Sequence, residues 1–400
     1  MEIRSVTLFC EPGGDPAAFA PFLAAARGAF PWRVQSTRVG ATPFPDWLPR
    51  DRAAAAAAEF AAAWRAAGAN YVSLGPVRLD HDPAWLALIP DLLLAADGLF
   101  AAVEIATTDG RIDTGRARDT ARLIQRVSAL HPDGFGNLFL GALAGCGPGH
   151  PFLPASYHGG GPASFAVAVE AADVALAAVG GAATLDEARA RLIAAVEDAA
   201  AVIVPAAEQL AADFGLRFGG IDFSPAPYPT PDKSLGAALE ALGVRVGGPG
   251  ALFAAAFITD ALDRARFPRA GFCGLMLPVL EDATLARRAA AGSLSLSDLL
   301  LYSAVCGVGL DTVPLPGDVD EATLTGILLD TAALSARLRK PLVARLMPLP
   351  GLTAGEATSF SFEYFAPGGV MAVGAAEVGG LLSRGARLDL TTYRAWADGL

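Results

Sequence analysis

The sequence predicts an α/β fold in which parallel strands are joined by crossover helices. Three observations carry that prediction. Short β-branched, apolar runs alternate with alanine-rich helical stretches from residue 3 onward, the rhythm of βαβ units. Of the 400 residues, 53% are hydrophobic and only 18% charged, enough to bury a large core. The first run, Ile3–Phe9, is almost continuously apolar and bounded by EPGGDP, as expected of a strand covered on both faces.

Taken in order, a helix is expected over Ala17–Ala29 and a second strand over Trp32–Val39. Pro43–Pro49 reads as a turn. Asp51–Ala67 is an alanine-rich helix with Asp51 as N-cap and Gly68 as its stop. Asn70–Leu74 is a strand, Leu92–Ala96 a helix, Leu99–Ile105 a strand and Thr114–Leu130 a helix. Residues 135–162 form a glycine-rich loop that divides one large domain, 1–400, into halves 1–134 and 163–400. Helices follow at Ala171–Ala178 and Leu185–Phe214, then a strand at Leu216–Phe223 and a proline-rich loop. Helices at Leu235–Leu242, Leu252–Arg264, Leu294–Val305 and Glu321–Leu338 alternate with strands at Leu275–Leu280 and Leu342–Leu346.

Composition excludes several functions. The net charge is −11, and only Lys233 and Lys340 of the thirty basic residues are lysines. With no basic cluster, nucleic acid and anionic membranes are not expected partners. The most apolar stretches are short or broken by Pro, Gly or acids, so no spanning helix is expected. The amino terminus lacks the basic and long apolar regions of a secretory leader. Cys10, Cys146, Cys273 and Cys306 make no C-x-x-C pair and read as reduced thiols, which points to a cytoplasmic location.

Candidate chemistry concentrates where strands end. FGGIDFSPAPYPTPDKS delivers Asp222 and Ser224 into a rigid loop with Lys233, a substrate loop or else a plain turn before a helix capped by Asp232 or Ser234. GLMLPVLED ends in Glu281 and Asp282, metal ligands or acid/base groups, or caps of the helix starting near Thr284. In SAVCGVGLDTVPLPGD, Cys306 is a nucleophile or a small buried hydrophobe. Asp311, beside Thr312, is a base or ligand, and Asp318 is a ligand or the cap of the Glu321 helix. His150 and His158 share a loop with Cys146 and suit zinc, acid/base work or an anion contact. GGPG at 247–250 resembles an anion-binding turn, but without G-x-G-x-x-G or a Walker lysine no nucleotide cofactor is indicated. Arg345 stands on a strand, where an arginine is functional or ion-paired because unpaired burial is costly.

The stretches MEIRSVTLF, HPFLPASYH, FGGIDFSPAP, CGLMLPVLED, LLLYSAVCGVGLDTVPLPGD and KPLVARLMPLPG, in that order along the chain, resemble the domain-of-unknown-function 711 family, also called uncharacterised protein family 0210. The family as named carries no assigned activity. The resemblance implies a closed barrel of about ten strands with surrounding helices, like that of pyruvate formate-lyase and other glycyl radical enzymes, with a hairpin entering it. Cys306–Asp318 is the candidate hairpin by this analogy. Radical chemistry is not implied, because no arginine-valine-x-glycine loop appears near the carboxyl end, where RLDLTTYRAWADGL stands, and no two cysteines are adjacent. Relatives encoded beside a small ACT-domain protein make such a protein an expected partner. A homo-oligomer is a further expectation.

Two functional readings result. In the first, a non-radical enzyme acts on a small anionic metabolite, a carboxylate or amino-acid derivative. Cys306, Asp311, Asp222 and Glu281 would do the chemistry, while Ser224, Lys233, Thr312, Arg345, His150 and His158 bind substrate. Asp311, Asp318 and Glu281 would hold any metal, and an all-carboxylate set suits Mg²⁺ or Ca²⁺ better than zinc. In the second, the protein senses a metabolite and works with an ACT-domain partner.

Overall fold

The computed structural model describes residues 1–391. The elements run β1 (Glu2–Phe9), α1 (Pro16–Ala26), β2 (Thr37–Gly40), α2 (Ala53–Ala66), β3 (Tyr71–Val77), α3 (Ile89–Ala95), β4 (Leu99–Ala106), β5 (Arg111–Asp113), α4 (Thr114–Ser128), β6 (Leu140–Ala144), β7 (Ser164–Glu170), α5 (Ala172–Gly180), α6 (Leu185–Phe214), β8 (Arg217–Ala226), α7 (Leu235–Ala241), α8 (Ala251–Arg264), α9 (Ala283–Ala290), α10 (Leu296–Ser303), β9 (Gly309–Pro316), α11 (Glu321–Leu338), β10 (Leu342–Leu349) and β11 (Arg387–Asp389). The α/β class is as the alternation predicts. One mixed sheet takes every strand, in the order β8-β7-β1-β2-β3-β4-β6-β10-β9, with β5 and β11 branching from β4.

Strand direction divides the sheet. β1, β2, β3, β4 and β6 are mutually parallel. β7 pairs antiparallel with β1, β10 pairs antiparallel with β6, and each brings a parallel neighbour, β8 or β9. The two edge strands β8 and β9 do not pair with each other in any ladder, so hydrogen bonds do not close the sheet. Between them runs segment 269–280, which makes one parallel bridge to each edge, Ile221 with Arg269 and Pro278 with Asp311. The expected strand at Leu275–Leu280 is therefore only this extended, singly bridged segment. Pro278 lacks the N–H that a ladder would need there.

Helices follow local rules. Thr184 caps α6, its hydroxyl accepting from Glu187 N at 3.1 Å, and Gly215 ends it in the left-handed region at φ 63°. The helix expected from Asp51 starts later: Arg50–Arg52 form a 3₁₀ turn and α2 has no side-chain cap. Strands β6, β7, β9 and β10 are buried at every position, because helices and loops cover both faces.

Three expectations fail at glycine and proline. The loop assigned to 135–162 contains β6, which sits inside the sheet between β4 and β10. The hairpin expected at Cys306–Asp318 is instead β9, a strand parallel to β10. Its Pro314 and Pro316 are tolerated because β9 is an edge of the ladder. Asp318 is exposed and caps nothing; Asp320 caps α11, accepting from Thr323 N at 2.7 Å. The expectation about RLDLTTYRAWADGL falls beyond Thr391 for its last nine residues, outside the described residues. Among the described residues no helix is long and apolar enough to cross a membrane.

Candidate functional site

Two arginines are delivered to one place by irregularities in the sheet. Between β10 and β9 the register passes from Ala344 opposite Leu310 to Leu346 opposite Val313, so Arg345 alone faces Asp311 and Thr312. Thr312 takes the left-handed φ of 42°, uncommon for a β-branched residue. Between β1 and β7 the register passes from Ile3 opposite Val169 to Ser5 opposite Ala168, leaving Arg4 as the extra residue. Bulges re-aim side chains. Here they turn two guanidiniums toward Glu281, which directly follows segment 269–280.

Glu281 is 4% exposed and accepts from both, Arg4 Nη2 at 2.6 Å and Arg345 Nη2 at 2.9 Å. Arg345 is also 4% exposed; its Nε donates to Asp311 Oδ1 at 2.6 Å and its Nη1 to the Leu138 carbonyl at 3.3 Å. Its guanidinium lies 5.4 Å from the Phe152 ring centre. Burial alone would push the Glu281 carboxyl up, but Arg4 and Arg345 overcome it and hold the group below the usual carboxylate range. Asp311 goes the other way: burial dominates and Glu281 adds repulsion, so its carboxyl is pushed up despite Arg345. Asp311 Oδ2 is buried with no hydrogen-bond partner among the described residues, so its tie to Arg345 runs through Oδ1.

Arg38, from β2, completes the cationic group. Its Nε donates to Ser36 Oγ at 2.9 Å, and its guanidinium lies 5.8 Å from the Tyr71 ring centre. Among the described residues it has no carboxylate partner. Burial and the neighbouring Arg4 push it down to about 9. Arg4, Arg38 and Arg345 thus face Glu281 and Asp311, three cations to two acids.

All three arginines and Glu281 line a cavity of about 450 Å³, within the range of small-molecule sites. Its other wall is aromatic: Tyr71, Phe100, Phe135, Phe139, Phe362 and Tyr364. Asp97 also lines it but is exposed at the opening.

The expected site residues separate into groups. Glu281 and Arg345 line the cavity, with Asp311 and Thr312 directly behind. Asp222 and Ser224 lie at a much smaller pocket that shares Arg4 and Arg38. Asp222 accepts from Ser224 Oγ at 2.5 Å, Phe272 N at 3.1 Å and Cys273 N at 3.0 Å, which pins the turn at Cys273 (φ 46°). Asp282, the alternative cap, caps α9 and also accepts from Ser234 Oγ and Gly236 N. Ser234 in turn caps α7.

Other candidates stand away from the cavity lining. Lys233 is ion-paired with Glu170 at 3.0 Å and Glu2 at 3.3 Å. His150 packs on Phe272 with ring centres 4.6 Å apart, and burial pushes it down to about 4. His158 Nε2 lies 3.1 Å from the Gly161 carbonyl. Cys306 is 2% exposed, and its carbonyl rather than its thiol receives the Lys340 ammonium. The metal set Asp311, Asp318 and Glu281 does not assemble. Asp318 is exposed, Arg345 occupies the space between the other two, and among the described residues no three His, Cys, Asp or Glu side chains cluster.

Sequence reasoning missed Arg4, Arg38 and the aromatic wall. The signal was available: each arginine interrupts a buried β run, EIRSVTLF or TRVG, as Arg345 interrupts LVARLMPL.

Comparison with known proteins places the chain in a family by its sequence. The family described as Uncharacterised ACR (DUF711) matches residues 22–362. A UPF0210 protein of Pyrobaculum arsenaticum is 39% identical over 218 residues, 52% of this chain and 48% of that protein. One of Desulforudis audaxviator is 31% identical over 290 residues, covering 70% and 64% of the two chains. One of Neisseria meningitidis serogroup C is 29% identical over 321 residues, covering 77% and 70%. The chain thus spans about half the length of the Pyrobaculum relative. Matched along residues 22–362, the chain belongs to the DUF711 family.

Proposed function

We propose that this protein takes a small anionic metabolite into the arginine-walled cavity. The observation that carries the reading is the surplus of one guanidinium. Arg38 is held among Arg4 and the aromatic wall without a carboxylate of its own, an arrangement that a bound anion would relieve. Guanidinium forks match carboxylates in shape as well as charge. Of the expected acids, Glu281 is the one in the cavity wall, where its carboxylate holds the Arg4 and Arg345 guanidiniums in place for a ligand, and Asp311 acts on it through Arg345. No radical step enters this proposal.

The barrel belongs to the same proposal. Segment 269–280 would supply a tenth strand position between β8 and β9, making five strands in each direction around the site. Its support is the pair of bridges to the two edges.

A second reading, ligand sensing with an ACT-domain partner, is favoured by the state of the thiols. All four cysteines are buried, and burial pushes Cys10 and Cys273 up to about 12, so neither is an activated nucleophile.

Thermal unfolding in millimolar acetate, propionate, succinate and 3-phenylpropionate tests the shared premise. At least one should raise the Tm of the wild-type chain, and that gain should vanish in Arg38→Met. No gain with any of them would sink the anion reading.

A further inference from the structure

The cavity also carries information about the rest of the ligand, and this inference rests on the anion reading above. Arg38 stands at the junction of its two walls. Its guanidinium belongs to the cationic group with Arg4 and also lies 5.8 Å from the Tyr71 ring centre. From Tyr71 the aromatic side chains continue without a break. Tyr71 meets Phe100 at 5.8 Å and 87°, Phe100 meets Phe139 at 5.0 Å and 62°, and Phe139 meets Phe135 at 5.6 Å and 82°. Phe135 meets Phe362 at 5.1 Å and 69°, and Phe362 leads to Tyr364 at 5.3 Å. Such near-perpendicular rings make walls of alternating faces and edges, to which another flat ring adds by the same offset or edge-on contacts.

Several of these rings, Phe135, Phe139 and Phe362 among them, are only partly buried although they belong to an otherwise closed apolar cluster. The surface they leave uncovered is cavity wall. The hydroxyls of Tyr71 and Tyr364 make no hydrogen bond among the described residues. The charge balance limits the head group. Glu281 is neutralised between Arg4 and Arg345, Asp311 by Arg345, and one positive charge is left over. A monoanion matches it. A dianion would leave a charge desolvated, either as excess on a phosphate or against the phenylalanines as a second carboxylate.

We propose that the ligand is an aryl or arylalkyl monocarboxylate, with its carboxylate on Arg38 and Arg4 and its ring among Phe100, Phe135, Phe139 and Phe362.

Titration calorimetry on the full chain with 3-phenylpropionate, propionate, succinate and phenyl phosphate tests this. The expected result is 3-phenylpropionate binding at least tenfold more tightly than propionate, with succinate and phenyl phosphate weaker than 3-phenylpropionate. Arg38→Met should lose at least tenfold for both monocarboxylates, with a Tm no lower than wild type. Phe362→Ala should weaken 3-phenylpropionate severalfold and leave propionate unchanged; Phe139→Leu serves if that variant does not fold. Propionate or succinate binding as well as 3-phenylpropionate would overturn the aryl assignment while the anion reading stood. Tighter binding of phenyl phosphate would overturn the monoanion assignment alone. Binding by none of the four, in wild type and variants alike, would overturn both readings.

Discussion

Gly274 and Gly307 meet backbone to backbone. A Cβ on Gly274 would stand 2.6 Å from the Gly307 Cα, and one on Gly307 would stand 2.7 Å from the Gly274 Cα. Each glycine follows a cysteine, Cys273 or Cys306, so the two cysteine-glycine turns of the sequence are one crossing in space. Gly307 N donates to the Leu275 carbonyl at 3.0 Å, which ties the turn before β9 to segment 269–280. That tie sets the height at which Glu281 meets Arg345. Gly274→Ala is expected to destabilise the protein by about 3 kcal/mol, since backbone rather than a flexible side chain must move. Urea unfolding reads the change. A loss under about 0.5 kcal/mol, the range of an ordinary surface substitution, would show that the crossing has slack.

Arg345→Met should be among the most damaging single changes. It leaves Glu281 and Asp311 buried and only partly compensated, and breaking a buried pair costs about 3–5 kcal/mol. Arg345→Lys should recover little, because an ammonium cannot reach both acids and the Leu138 carbonyl as the planar fork does. Recovery of most of the stability by lysine would mean that charge, not fork geometry, matters here.

Arg38→Met should behave oppositely. Removing a half-buried cation that Arg4 repels leaves no acid stranded, so stability should stay level or rise by about 1 kcal/mol. A large drop would identify Arg38 as a structural group and remove the chief support for the anion site.

His150 should make the fold acid-sensitive. Its folded pKa of about 4 lies below the ordinary 6.5, so between these values the unfolded chain binds the proton and the folded chain does not. Stability from this group is therefore complete above about pH 6.5 and is lost as pH falls toward 4, by about 3 kcal/mol in all. His150→Gln should flatten that part of the pH profile. An unchanged slope would place the acid sensitivity elsewhere.

The thiols should be silent in the native state. Cys10, Cys146, Cys273 and Cys306 are each under 10% exposed. A chromogenic disulfide reagent should titrate no thiol in native protein and four after denaturation. Rapid native labelling of one cysteine, mapped to Cys306, would restore it as a nucleophile.

Local chemistry made much of this legible in advance. Asp282 as a cap and Arg345 on a buried strand follow from short-range rules, and the structure keeps both. Strands β6 and β9 escaped because glycine and proline argue against strands, and only their neighbours in the sheet override that preference. Arg4 and Arg38 escaped because neither is unusual within its own strand. Their meaning comes from Glu281, more than 240 residues away in sequence and 2.6 Å away from Arg4 in space.

By itself the sequence determined the α/β alternation, doubly covered strands and the helix caps at Ser234 and Asp282. Each depends on residues within a few positions of one another, where propensity and hydrophobic period act. The tertiary structure decided which acids meet which arginines, and so the surplus charge, the cavity and its aromatic wall. Ion pairing and desolvation act over a few ångströms. Their sign at this site depends on two bulges and one glycine crossing that bring β1, β2, β10 and segment 269–280 together.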